Sequence, residues 1–293
     1  MSAEVSPTPS PPRGSARGGP SLHPRGSLLG SEIVTLFRRR RTQAILAVLA
    51  GVPVLIALAV RLSSAPRRGA GPPFLDRVTQ NGLFVGVTAL IVSIPLFVPL
   101  AIGVVAGDTV AGEANLGTLR YLLLAPAGRT RLLLVKYAGA AAFCLAATLT
   151  VVLSGAVIGS LLFPVGPVTL LSGDTVGVPE SVVRALLVAA YVSVSMLGLS
   201  AIGLFVSTLT EIPVGAMAAT VTLAVAAQIL GSIPQLAWLH PWLFTYHWLD
   251  LGDLLRTPIA WDSFTANARL QLGYIAVFGA LAWARLTTRD VLS

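Results

Sequence analysis

The chain has 293 residues, of which 55% are hydrophobic and only 11% are charged, and its mean hydropathy is +0.81. A soluble domain of that length needs far more charge to cover its surface, so a water-soluble enzyme is excluded and the surplus apolar residues must face lipid. The net charge is +8, but the basic residues gather at the ends of apolar runs, which points to a membrane surface and not to nucleic acid.

Residues 1–27 are mostly Pro, Ser, Gly and Arg. That composition cannot bury a core and predicts a disordered cytoplasmic tail. It lacks the early apolar run of a secretory signal. From Leu28 to Arg41, Leu29, Ile33, Leu36 and Phe37 share a helical face and Arg38 to Arg41 follow. This is an amphipathic interfacial helix with its arginines at anionic headgroups, or else a plain stop-transfer cluster.

Six spans come next, each near the roughly 20 residues that cross the hydrocarbon core. They run from about Thr42 to Leu62, Gly82 to Val105, Lys136 to Phe163, Ser181 to Leu209, Ile212 to Ile233 and Leu270 to Leu286. Pro53 in the first span and Pro95 and Pro99 in the second predict kinks. With both termini inside, thirteen basic residues fall on the inner side and seven on the outer. That bias predicts cytoplasmic ends, with Arg61, Arg67, Arg68 and Arg77 as the discordant group.

Small-residue pairs, Gly82 with Gly86, Gly103 with Gly107 and Gly155 with Gly159, permit close helix packing. Ionisable residues are nearly absent from span centres, which argues against a proton- or ion-coupled transporter. Ser193, Ser200, Thr220 and Gln228 are candidates to line a path for a hydrophobic or amphipathic substrate. Serine contacts between packed helices are the competing explanation.

Before the last span, Pro234 to Arg269 holds Trp238, Trp242, Phe244, Tyr246, Trp248 and Trp261, punctuated by Pro234 and Pro241. It is too aromatic for a solvated loop and too broken for a span. The expectation is an extracellular re-entrant or interfacial helical hairpin with its Trp and Tyr at headgroup level. His240, His247, Asp250 and Asp253 in this region do not make a complete ligand set, and no metal site is expected. Cys144 is the single cysteine, so no disulfide forms within one chain.

A phosphate-binding loop needs a Gly-rich turn closing on Lys and Ser or Thr. The only lysine, Lys136, follows Leu-Leu-Leu-Val and precedes Tyr137. No His-Glu-x-x-His or Gly-x-Ser-x-Gly motif is present either. The distinctive stretch is instead Asp108 to Lys136. It has two carboxylates (Asp108, Glu113), Gly117, Leu119 and Tyr121 to Leu124, a Pro126–Gly128 turn, then Arg129, Arg131 and Lys136. Two amphipathic pieces flanking a turn can present a short helix along the membrane for a partner to grip, and Arg129 and Lys136 can hold the entry to span three at the headgroups.

The order Ala111-Gly112-Glu113, Gly117-Thr118-Leu119, Leu123-Leu124-Ala125-Pro126, Arg129 and Lys136 resembles the signature after the second span of ABC-2-type permeases. These are the membrane subunits of bacterial ABC exporters. The resemblance implies an all-α integral membrane fold over residues 28–293. That fold has six transmembrane helices, an N-terminal interfacial helix, a cytoplasmic coupling helix after span two and the extracellular re-entrant hairpin before span six. It implies two permease copies, a homodimer or related heterodimer, working with two separate ATPase subunits that bind ATP and Mg. No cofactor would sit in this chain and no nucleic acid would be a partner. Asp108, Glu113, Gly117, Thr118, Arg120 and Arg129 would then form the ATPase-coupling segment, with Glu113 as its charged contact. Two other readings stay open: an ABC-2-like subunit acting as mechanotransmitter or assembly factor, and a polytopic membrane enzyme.

Overall fold

The computed structural model describes residues 28–62, 81–117, 128–170 and 172–288. The tail 1–27, Arg67, Arg68, Arg77, Thr118 and Arg120 lie outside the described residues. The elements in chain order are α1 (Leu28–Arg38), α2 (Arg40–Leu62), α3 (Phe84–Ser93), α4 (Phe97–Asn115) and α5 (Arg129–Leu162). A two-stranded antiparallel hairpin, β1 (Val168–Thr169) and β2 (Thr175–Val176), separates α5 from α6 (Val178–Leu209). Helices α7 (Pro213–Ser232) and α8 (Asp262–Thr288) complete the set.

Six helices, α2 and α4 to α8, are long and apolar enough to cross a membrane, and the protein is a multi-pass membrane protein. The expected second span is broken, with α3 and α4 separated at Ile94–Leu96. Proline chemistry explains the break. Pro95 and Pro99 carry no N–H, so the carbonyls one turn before each lose their helical donor. The Pro95 carbonyl, orphaned by Pro99, accepts instead from Gln228 Nε2 of α7 at 2.8 Å.

Helices α4 and α6 are the most buried and form the centre. On α2, α5, α7 and α8, large apolar side chains face outward, including Leu55 and Leu161, which are 69% and 74% exposed. Such a surface belongs against lipid or another apolar partner.

The glycine pairs meet one another. A Cβ on Gly82 would strike the Gly159 carbonyl, and one on Gly155 would strike the Gly86 Cα. Helices α3 and α5 therefore cross backbone to backbone, without side chains between them. A Cβ on Gly107 would lie 2.8 Å from the Met217 Cα, so α4 and α7 meet in the same way.

The last helix starts at Asp262, earlier than the expected Leu270. Its first turns are polar in sequence, but Asn267 and Gln271 are buried. Asn267 Nδ2 donates to Ser195 Oγ at 2.8 Å, and Gln271 Nε2 donates to the Phe244 carbonyl at 2.9 Å. The segment before it is a run of short 3₁₀ turns, Pro234–Leu236, His240–Trp242 and Asp250–Leu255, where a helical hairpin was expected. Trp238 and Trp242 are exposed, whereas Trp248 is buried and donates from Nε1 to the Ser195 carbonyl at 3.0 Å. Trp248 therefore holds the turns onto α6 and does not sit among headgroups. Arg184 does the same work beside it. Buried on α6, it donates to the Leu254 and Arg256 carbonyls at 3.0 and 2.7 Å and pairs with Glu180 at 2.7 Å.

Candidate functional site: a charge cluster at one end of the bundle

Glycine and serine prepare the end of α4. Gly112 lies one turn beyond Asp108, and a Cβ there would come within 2.8 Å of the Asp108 carboxylate, so its absence leaves the carboxylate room. Ser207 Oγ on α6 accepts from the Val110 and Ala111 N–H groups at 3.0 and 2.8 Å and fixes α4 against the centre of the bundle. On the neighbouring α5, Gly139 leaves space for α1: a Cβ there would meet Glu32 Cγ at 3.5 Å. Leu36 is buried, and the Phe37 and Phe143 rings are 6.5 Å apart, so α1 docks by its apolar face.

Six charged side chains converge at this junction. Lys136 Nζ lies 2.8 Å from Glu32 Oε1 of α1 and 2.9 Å from Glu113 Oε1 of α4. Asp108 Oδ2 lies 3.4 Å from Arg39 Nη1 and 3.3 Å from Arg41 Nη1. Arg39 Nη2 also reaches Glu113 Oε1 at 3.8 Å and joins the two halves. Three cations meet three anions, so the cluster is formally neutral. Neutrality matters because the Lys136 side chain is only 5% exposed and that of Glu113 only 16%. An unpaired charge at such a depth is strongly unfavourable.

The predicted coupling residues divide. Asp108 and Glu113 belong to the cluster, and Glu113 points inward to Lys136 instead of standing free for an outside contact. Lys136 is buried between carboxylates and is not a headgroup anchor. Gly117 takes φ 70° and ends α4 in the left-handed region, where glycine is unstrained. Beside it Leu116 is 72% exposed. Arg129 begins α5 and donates from Nη1 to the carbonyls of Leu286 and Thr287 at 2.9 and 2.7 Å. A guanidinium there satisfies carbonyls left unpaired at the end of α8 and opposes that helix's dipole. The N-terminal helix, the end of α4, the start of α5 and the end of α8 thus lie at one end of the bundle.

Glu32, Arg39 and Arg41 were not foreseen as site residues, and Lys136 was foreseen only as a headgroup anchor. Glu32 is a lone acid in an amphipathic segment, and Arg39 and Arg41 are two of four consecutive arginines. None of the three carries a local signal that it pairs with residues far along the chain.

The candidate path residues do not come together. Ser193 Oγ bonds Thr148 Oγ1 at 2.6 Å, Ser200 Oγ lies 3.0 Å from Cys144 Sγ, and Thr220 Oγ1 donates to the Ala216 carbonyl at 2.8 Å. All three are buried in helix contacts. Gln228 alone faces a cavity, of about 330 Å³, beside the break in span two. Among the described residues no group of three His, Cys, Asp or Glu can hold a metal. His247 Nδ1 lies 2.8 Å from Asp250 Oδ2, and His240 Nε2 lies 3.1 Å from the Ile233 carbonyl.

Residues 47–292 match the model of the family described as "Protein of unknown function (DUF2705)", and the chain belongs to that family. The matched stretch contains Asp108, Glu113 and Lys136 and begins after α1. A search of curated proteins finds no match to the chain.

Proposed function

We propose that this member of the DUF2705 family is the permease subunit of an ATP-driven exporter of ABC-2 type. In this reading two copies form the path for a hydrophobic or amphipathic substrate in the cell membrane, with both termini cytoplasmic. Two separate ATPase subunits bind ATP and Mg and supply the energy, and the chain itself does no chemistry. The observation that carries the reading is the charge cluster. It ties an amphipathic N-terminal helix, the end of span two and the start of span three around a connection whose first side chain, Leu116, is exposed.

The geometry refines the part each residue plays. Glu113 and Asp108 position the end of α4 through Lys136, Arg39 and Arg41, and the surface offered to the ATPase begins at Leu116 and Gly117. Thr118 and Arg120 belong to that proposed contact by their place in the resemblance. The burial of Ser193, Ser200 and Thr220 favours a path between copies over one through a single bundle. The exposed Trp and Tyr side chains of residues 234–261 are placed at the outer headgroups.

Co-purification with a soluble ATPase tests the class: a chain that never associates with one refutes the proposal. Within such a complex, Glu113→Ala is expected to leave the permease folded in the membrane and to lower substrate-stimulated ATP hydrolysis. Unchanged stimulated turnover would remove Glu113 from the coupling role.

A further inference from the structure

Asp108 lies eleven positions along α4 from its first residue, Phe97, about 16 Å at the rise of an α-helix, and Pro95 lies before that start. The cavity at the break therefore lies well away from the charge cluster. It has a volume of about 330 Å³, at the lower end of the size range of small-molecule sites. Ile94, Pro95, Leu243, Tyr246, Trp248 and Leu249 supply apolar and aromatic walls.

The polar groups are few, and carboxylates, ammonium groups and guanidinium groups are not among them. One N–H of the Gln228 amide goes to the Pro95 carbonyl, which leaves the second N–H and the side-chain oxygen for a ligand. The Ile233 carbonyl can only accept, so His240 Nε2, 3.1 Å away, donates to it. Ser232 donates to the Ile229 carbonyl and keeps its oxygen as acceptor, and Thr245 and Tyr246 add hydroxyls that can donate or accept. Among the described residues, no Asp, Glu, Lys or Arg lines the cavity.

We infer that the cavity at the break in span two binds a neutral amphipathic molecule from the bilayer, an apolar chain or ring carrying a hydroxyl or amide N–H head. An anionic head would find no lysine or arginine in the lining, and an ammonium head would find no carboxylate. Aromatic and aliphatic walls meet the apolar body, and the neutral polar groups of Gln228, Ser232 and Thr245 meet the head. The inference deepens the permease reading by naming a substrate class. It rests on that reading for the fate of the ligand and not for its binding.

The test uses the full chain in phosphatidylcholine nanodiscs without any ATPase. Its probes are a long-chain alcohol bearing a diazirine, the matched carboxylic acid and the matched alkane. After irradiation the labelled peptides are mapped by mass spectrometry. The alcohol should label residues 228–249 about tenfold more than the acid does. Gly231→Leu fills the cavity from α7; a Cβ at Gly231 would lie 3.6 Å from Leu243 Cδ1, an ordinary contact. That variant should lower alcohol labelling about tenfold.

Thr245→Val keeps the shape, so it should weaken alcohol labelling and spare alkane labelling. That split holds even where Gly231→Leu does not fold. Equal labelling by alcohol and acid, unchanged alcohol labelling in a folded Gly231→Leu, or equal loss of alcohol and alkane in Thr245→Val overturns the site. None of these outcomes bears on ATPase association, which is measured separately.

Discussion

The two ends of the bundle are fastened by different chemistry. At the end holding α1 and the start of α5, charged side chains satisfy one another: Lys136 with Glu32 and Glu113, Arg39 and Arg41 with Asp108. At the other end the buried Arg184 divides its donors between the Glu180 carboxylate on its own helix and the Leu254 and Arg256 carbonyls of the turns, and Trp248, Asn267 and Gln271 bind neutral groups. Carbonyls of a packed turn cannot leave without unfolding the turn. A carboxylate on a separate helix can, when its helix moves. The difference teaches that the ionic end is the one whose elements can be rearranged as bodies, while the 3₁₀ turns at the other end are welded to α6.

Lys136→Ala should show the largest effect, a loss of about 3–5 kcal/mol in reversible unfolding in mild detergent, because it removes the nearest cation of both Glu32 and Glu113 and leaves the cluster one positive charge short. Adding Glu113→Gln should recover about 1–2 kcal/mol of that loss, since the surplus negative charge is removed. Non-recovery would break the idea that charge neutrality holds this end together.

Arg184→Ala should cost about 3 kcal/mol by the same measurement, as buried carbonyls lose their donors. Here Glu180→Ala should rescue nothing, because Glu180 is half exposed and stays solvated without its partner, while the buried carbonyls still lack a donor. Rescue would erase the contrast between the ends. Arg41→Ala should be the smallest change, under about 0.5 kcal/mol, because Arg41 is 44% exposed and Arg39 stays on Asp108. A loss comparable to that of Lys136→Ala would mean that the six charges act as one unit.

The spans could be read from length and hydropathy because lipid imposes both. The break in span two was foreshadowed by Pro95 and Pro99, though not the capture of the freed carbonyl by Gln228, which depends on where α7 packs. The start of α8 was placed too late because Asp262, Asn267 and Arg269 dilute the hydropathy of its first turns; Asn267 is buried by a partner from α6. Lys136 misled for the same reason. A basic residue beside an apolar run reads as a headgroup anchor, and only carboxylates from two other helices, 23 and 104 positions away, make it an interior residue. The glycine pairs were visible as motifs, but that Gly82 and Gly86 face Gly155 and Gly159 is a property of the fold.

The Arg129 cap has a mechanical consequence. Arg129 opens α5 and holds the last turn of α8 through the Leu286 and Thr287 carbonyls, while Lys136, two turns further along α5, is paired with Glu113 of α4. The first turns of α5 are therefore clasped on two sides, by a core helix and by the least buried of the six long helices. A displacement of the start of α5 is shared between those two neighbours.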